Sequence, residues 1–88
     1  MPYIREEHRW TVDGPINELL KQIDRHADRD RPGIVNYVIT RLLLARFTSS
    51  YFAFALGVGV LVTCLLEFYR RHAAPYEDKK IIENGDVE

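Results

Sequence analysis

The apolar positions of the chain fall into three stretches with helical spacing. In the first, apolar residues recur at i, i+3, i+4 and i+7, which is typical of one stripe of an amphipathic helix: Ile16, Leu19, Leu20 and Ile23. Asp13-Gly14-Pro15 precedes that stripe. A short polar residue caps free amides and proline suits a first turn, so this tripeptide indicates a helix start. The pattern predicts a helix over about 15–28, preceded by an arm, 1–13.

The second stretch begins after a break at residues 28–33, where charges alternate and Pro32 disfavours helical geometry at the residue before it. Apolar pairs then recur every four residues from Ile34 onward. The β-branched residues in this stretch also suit a strand, but the spacing favours a helix over about 34–47.

The third stretch is the most apolar part of the chain. Thr48-Ser49-Ser50 offers hydroxyl groups that can cap a helix, and the apolar residues then continue with no charge until Glu67. We predict a helix over about 50–73 that ends at Pro75. The remaining residues, 75–88, are expected to form a polar C-terminal arm with a turn at Asn84-Gly85.

This pattern predicts an all-α protein: a single helical domain, 1–88, built as a three-helix unit with extended N- and C-terminal arms. Two short helices cover about half of the third helix. If the other half faced water, its apolar patch would be larger than monomers normally tolerate. We therefore expect the helices to be intertwined or paired in a homo-oligomer, a homodimer or higher. Small residues four apart permit close helix contact, although the glycines are equally explained as merely tolerated. The predicted oligomer interface is Ala53, Leu56, Gly57, Gly59 and Val60.

A single membrane span is the alternative explanation of the third stretch. Residues 47–66 carry no charge and match the thickness of a bilayer. However, two amphipathic helices precede this run, its first four residues resemble a cap, and Lys and Arg flank it evenly, so no side is marked as cytoplasmic. The opening residues MPYIREEHRW contain no apolar signal segment. The pattern favours a soluble cytoplasmic protein over a span at about 47–66.

Composition narrows the function classes further. The 88 residues include 12 basic and 13 acidic side chains, so no electrostatic attraction to nucleic acid is expected. The one cysteine, Cys64, lies inside the apolar run and is expected to pack in the core, and the three histidines are scattered. No metal site, cofactor or catalytic constellation is predicted, and an enzyme is not expected.

The segment around the end of the third helix is the densest in polar and aromatic groups. Guanidinium groups suit phosphate oxygens and tyrosine rings suit a base, so this segment is a candidate site for a phosphorylated small molecule. Its residues are Tyr69, Arg70, Arg71, Tyr76, Lys79 and Lys80. The helix dipole and a solvated charge run also explain these cations. Glu67, Glu77 and Asp78 could instead neutralise them internally.

The same segment carries a resemblance. The strings LEFYRR (66–71), APYEDKK (74–80) and ENGDV (83–87), together with NYVITRLL (36–43) and the MPYI opening, resemble a family of short, uncharacterised proteins of bacterial and phage genomes. The resemblance implies motif positions of unknown role at Glu67, Glu77, Asp78, Asn84 and Gly85. The chain departs from the family pattern at 52–63, which is more apolar, and at 24–32, which is longer.

Three hypotheses for the function follow. The first is a non-enzymatic, homo-oligomeric binding or assembly protein of the cytoplasm, associated with phage. The second is a protein that binds or sequesters a nucleotide or another phosphorylated metabolite. The third is a single-pass membrane protein.

Overall fold

The computed structural model describes residues 2–88 and contains three helices, so the all-α prediction is confirmed. Helix α1 spans Glu6–Asp24 and α2 spans Arg31–Arg46. The third helix is continuous over Tyr51–Asn84 and has three parts: α3 (Tyr51–Phe68), a π-helical turn (Tyr69–Ala73) and α4 (Ala74–Asn84). Its 34 residues rise about 51 Å, which matches the longest dimension of the molecule, 48 Å.

The N-terminal arm is shorter than the predicted 1–13, because α1 begins at Glu6 rather than near residue 15. Glu6 and Glu7 occupy its first turn, where carboxylates interact favourably with the helix dipole. Pro15 lies inside the helix and leaves the carbonyl of Thr11 without its usual bond. Thr11 is exposed, so water can satisfy that carbonyl. The helix ends at Asp24 instead of residue 28.

Arg31 organises the connection between α1 and α2. Its guanidinium donates to the backbone carbonyls of Asp24 and His26, both at 3.0 Å, and pairs with Asp28 at 2.7 Å. Helix α2 begins at Arg31, three residues before the predicted 34, because Pro32 fits the first turn, where an amide hydrogen is not needed.

The C-terminal arm predicted over 75–88 is largely helical, and Pro75 does not end the helix. The turn before it is widened: the amide of Ala74 bonds to the carbonyl of Tyr69, five residues back. This widening accommodates Pro75, which has no amide hydrogen to donate to the carbonyl of Arg71 and whose ring would clash with that carbonyl. The helix ends where Gly85 takes a φ of 88°, a conformation that glycine adopts readily, so the Asn84-Gly85 signal marks its true end.

The start of α3 agrees with the prediction. Ser50 is the N-cap, and its side-chain oxygen accepts a hydrogen bond from the amide of Ala53 at 3.1 Å. Leu43 and Phe47, at the end of α2, lie against Gly57 of α3. This is where α2 and α3 meet. Ile23 and Ala53 are the only buried apolar side chains in the part of the chain that the structure describes.

The three helices are splayed apart. The radius of gyration is 16.7 Å, whereas a compact chain of this length has about 12 Å. The accessible surface is 7947 Å², and a folded monomer of this mass exposes about 5,400 Å². Each chain therefore leaves about 2,500 Å² exposed that a self-contained domain would bury.

Candidate functional site

A hydrogen-bonded cluster joins the N-terminal segment to the end of α3. The Tyr3 hydroxyl donates to Glu67 and accepts from Nη1 of Arg71 at 2.9 Å. Nη2 of Arg70 lies 2.9 and 3.1 Å from the two carboxylate oxygens of Glu67. Glu67 is thus at the centre of this Tyr3–Glu67 cluster, and its side chain is 21% exposed.

The electrostatics of the cluster favour an ionised Glu67. The Tyr3 hydrogen bond and then the Arg70 hydrogen bond lower the pKa of this carboxyl. The Tyr3 hydroxyl in turn raises the pKa of Arg71, which stays charged. Glu67 therefore neutralises Arg70 through direct contacts, which is one of the possibilities that the sequence left open. Arg71 is held mainly by its hydrogen bond to the Tyr3 hydroxyl.

The π-helical turn places Tyr69 and Glu77 on one side of the helix. The Tyr69 hydroxyl donates to Oε2 of Glu77 at 3.2 Å. This bond and the negative charge of Glu77 raise the pKa of Tyr69, with a smaller contribution from Asp78. The contact bridges the turn and links α3 to α4.

A third group lies along α4. Nζ of Lys80 is 5.5 Å from the centre of the Tyr76 ring and 3.0 Å from Oε2 of Glu83. Asn84 and Gly85 form the end of the helix beyond it. Lys79 and Asp78 are exposed on the same helix.

The six predicted ligand-binding residues are thus divided among three groups within one chain. Arg71 is the only one that lines the 310 Å³ cleft beside the N-terminal segment. The Phe68 and His72 rings, 5.5 Å apart, lie at the same cleft. Its full lining is Pro2, Tyr3, Cys64, Glu67, Phe68, Arg71 and His72.

Sequence reasoning missed Tyr3 as a site residue. Its partners lie 64 and 68 positions away, a separation that no local spacing reveals. The available signal was the MPYI opening, which resembled the family together with the LEFYRR string that contains Glu67 and Arg71.

The model of a family described as a domain of unknown function (DUF6899) matches residues 1–87. The chain belongs to the DUF6899 family. The match includes both Tyr3 and its partners, so the cluster lies wholly inside the DUF6899 domain. Comparison with curated proteins and with solved structures found no match.

The predicted oligomer interface of this DUF6899 chain is divided in two by the structure. Ala53 is 8% exposed, and Gly57 is buried against Phe47 and Leu43 of the same chain. Leu56 and Val60 are 47% and 44% exposed, and a side chain at Gly59 would meet no atom within 4 Å. The first two residues therefore pack within the chain, and the other three remain available to a partner.

Cys64 is exposed in the single DUF6899 chain, contrary to the expectation that it packs in the core. It lies at the gap between α2 and α3, and it also lines the cleft beside Tyr3. In residues 2–88, no three His, Cys, Asp or Glu side chains are grouped closely enough to hold a metal ion.

The long helix of the DUF6899 domain has the length and composition to cross a membrane. Only 11% of its most apolar 18-residue window is buried. A core helix of a self-contained soluble domain would be mostly buried, whereas this helix is mostly exposed in the single chain.

Proposed function

We propose that this DUF6899 chain is a non-enzymatic, homo-oligomeric binding or assembly protein. The observation that carries the proposal is the apolar surface of α3. Phe52, Val60 and Leu65 lie about 80° to 140° apart around that helix and are 70%, 44% and 64% exposed. Exposed apolar area of this extent marks an interaction surface. A second copy of the chain can cover it, because most soluble oligomers are built from identical chains.

The junction of α2 and α3 supports a protein partner over a bilayer. Phe47 and Leu43 contact Gly57, which lies about 9 Å along α3 from its first residue. If α3 crossed a membrane, the attached end of α2 would be drawn in with it. Arg46 would then be drawn toward the apolar layer, which disfavours a charged side chain.

A cytoplasmic, phage-associated role is the finer part of the proposal. One cysteine provides no internal disulfide, the usual reinforcement of small secreted domains. The association with phage rests on the resemblance of the C-terminal strings to short bacterial and phage proteins.

Native mass measurement tests the oligomer. We expect protein purified without detergent to have the mass of a dimer or a higher closed oligomer at micromolar concentration. A monomer that stays in solution at that concentration would contradict the proposal, and so would recovery solely in the membrane fraction.

A second candidate function, binding of a phosphorylated small molecule, is favoured by the cleft beside Tyr3. Its 310 Å³ is at the lower end of small-molecule sites. Arg71 supplies a fixed cation for phosphate, and Phe68 and His72 supply rings against which a base can stack. Glu67 opposes an anion at the same place, so the ligand would have to displace the carboxylate or bind beyond it.

A thermal-shift series with nucleoside mono-, di- and triphosphates tests this candidate. A ligand present at 100 times its Kd stabilises the folded state by about 2.7 kcal/mol and raises the melting temperature. Arg71→Ala should remove that rise, since it deletes the cation of the cleft. Arg46→Ala, at the end of α2 and outside the cleft, should keep it. An unchanged melting temperature with every nucleotide would rule out nucleotide binding.

A further inference from the structure

A large V-shaped cleft separates α2 from α3. The two helices meet at Gly57 and diverge toward Phe68, and the space between them is about 1040 Å³. One wall carries Val35, Ile39 and Leu43 of α2, and the other carries Leu61 and Phe68 of α3. The lining is mostly apolar, and its polar members are Asp28, Arg31, Asn36 and Thr40.

The cleft has the volume of a helical segment. A helix about 10 Å wide that rises 1.5 Å per residue displaces about 120 Å³ per residue, so the cleft holds about nine residues, or more than two turns. A helix lying between two walls is contacted around more than half of its circumference. Since most of the lining is apolar, the best-suited occupant is apolar on the sides that face both walls.

Only α3 meets that requirement among the helices of this chain. Thr63 is the one hydroxyl-bearing residue between Phe52 and Leu66, and the rest of that segment is apolar. Helix α1 carries Glu18, Lys21 and Gln22 away from its apolar stripe, and α4 contains the EDKK run. Neither could enter the cleft without burying charge.

We propose that α3 of a second copy occupies the cleft between α2 and α3, and that the first copy's α3 occupies the cleft of the second. This inference rests on the proposed function and specifies its interface. Two-fold symmetry makes the exchange reciprocal, so both clefts and both apolar helices are covered together. The interface would bury up to about 2,500 Å² per chain, the surface that each chain exposes beyond that of a self-contained domain. An area of this size is in the range of obligate dimers.

A charge exchange between two variants tests the arrangement. Ile39 lies on the α2 wall of the cleft, whereas Leu66 lies half a helical turn away from Gly57 and points away from α2. Ile39→Lys and Leu66→Glu should each raise the dimer dissociation constant at least 100-fold. Mixed together, they should form a 1:1 dimer at a concentration at least tenfold lower than either alone, because the lysine of one cleft meets the glutamate of the other chain's α3.

The matched control is Lys21→Glu, which changes charge on the polar side of α1 and should leave the dimer intact. If Leu66→Glu or Ile39→Lys dimerises like the unaltered chain, the proposed interface is wrong. Helical circular dichroism of the mixture shows whether the variants regain structure when they pair, which separates lost assembly from irreversible misfolding.

Cys64 provides a test without any substitution. The thiol is exposed in the single chain and lies at the gap between α2 and α3. In the proposed dimer the incoming helix covers it, so alkylation by iodoacetamide should be at least tenfold slower in the native oligomer than in urea. An oligomer with a fully reactive Cys64 would overturn the interface but leave the proposed function standing. A monomer that binds phosphatidylcholine–phosphatidylglycerol vesicles would overturn both.

Discussion

Replacing Gly57 with leucine is expected to lower the free energy of unfolding by about 3 kcal/mol. A β-carbon at this position would lie 3.0 Å from Cβ and 3.3 Å from Cγ of Phe47, with Cδ2 of Leu43 at 3.5 Å. The Phe47 β-carbon is attached directly to the backbone, so it cannot swing aside as a flexible side-chain end would. Leucine at residue 57 should therefore push α2 away from α3 at their one close contact.

Gly33→Leu is the matched control for this substitution. Gly33 is also helical, but a side chain there would meet no atom within 4 Å. Leucine should stabilise α2 by up to about 1 kcal/mol through helix propensity. Urea unfolding of both variants at one protein concentration, followed by circular dichroism, measures the difference. Equal changes in the two variants would show that α2 does not pack on Gly57.

The helices were predictable because each carries an apolar repeat, and the Ser50 cap was predictable because hydroxyl side chains accept amide bonds at helix starts. The errors came from the prolines. Pro15 and Pro75 were interpreted as a helix start and a helix stop, yet both lie within helices. An exposed carbonyl beside Pro15 and a widened turn before Pro75 lower the cost of a missing hydrogen bond, and neither adjustment leaves a signature in local spacing.

The candidate site was only half predictable for a related reason. Glu67, Arg70 and Arg71 share one helix face by sequence spacing, so their ion pairs follow from helix geometry. Tyr3 reaches them through the path of the whole chain, which no periodicity encodes. Likewise, the Ala53–Gly57 spacing indicated a close helix approach, but spacing does not specify whether the approaching helix belongs to the same chain.

Dilution is expected to unfold the protein, because its helices cannot be stable alone. A chain of this mass exposes about 14,900 Å² when unfolded, and the single folded chain still exposes 7947 Å². It therefore buries only about half of its unfolded surface, less than the roughly 60% that already makes a small domain marginal. Two buried apolar side chains among residues 2–88 do not offset the conformational entropy lost on folding.

Folding and assembly should then be one transition whose midpoint depends on protein concentration. Each tenfold dilution lowers the free energy of unfolding by about 1.4 kcal/mol per dimer. For a two-chain unit of this size, that change lowers the melting temperature by about 4 °C. Circular dichroism melts at 1, 10 and 100 μM total chain measure the shift, and sedimentation at the same concentrations shows whether helix content and dimer disappear together.

A melting temperature that does not change with concentration would mean that the single chain is stable by itself. Loss of the dimer with full retention of helix would mean that assembly is separate from folding. The coupled result would explain how so apolar a helix remains in water: it is helical only when a second copy covers it.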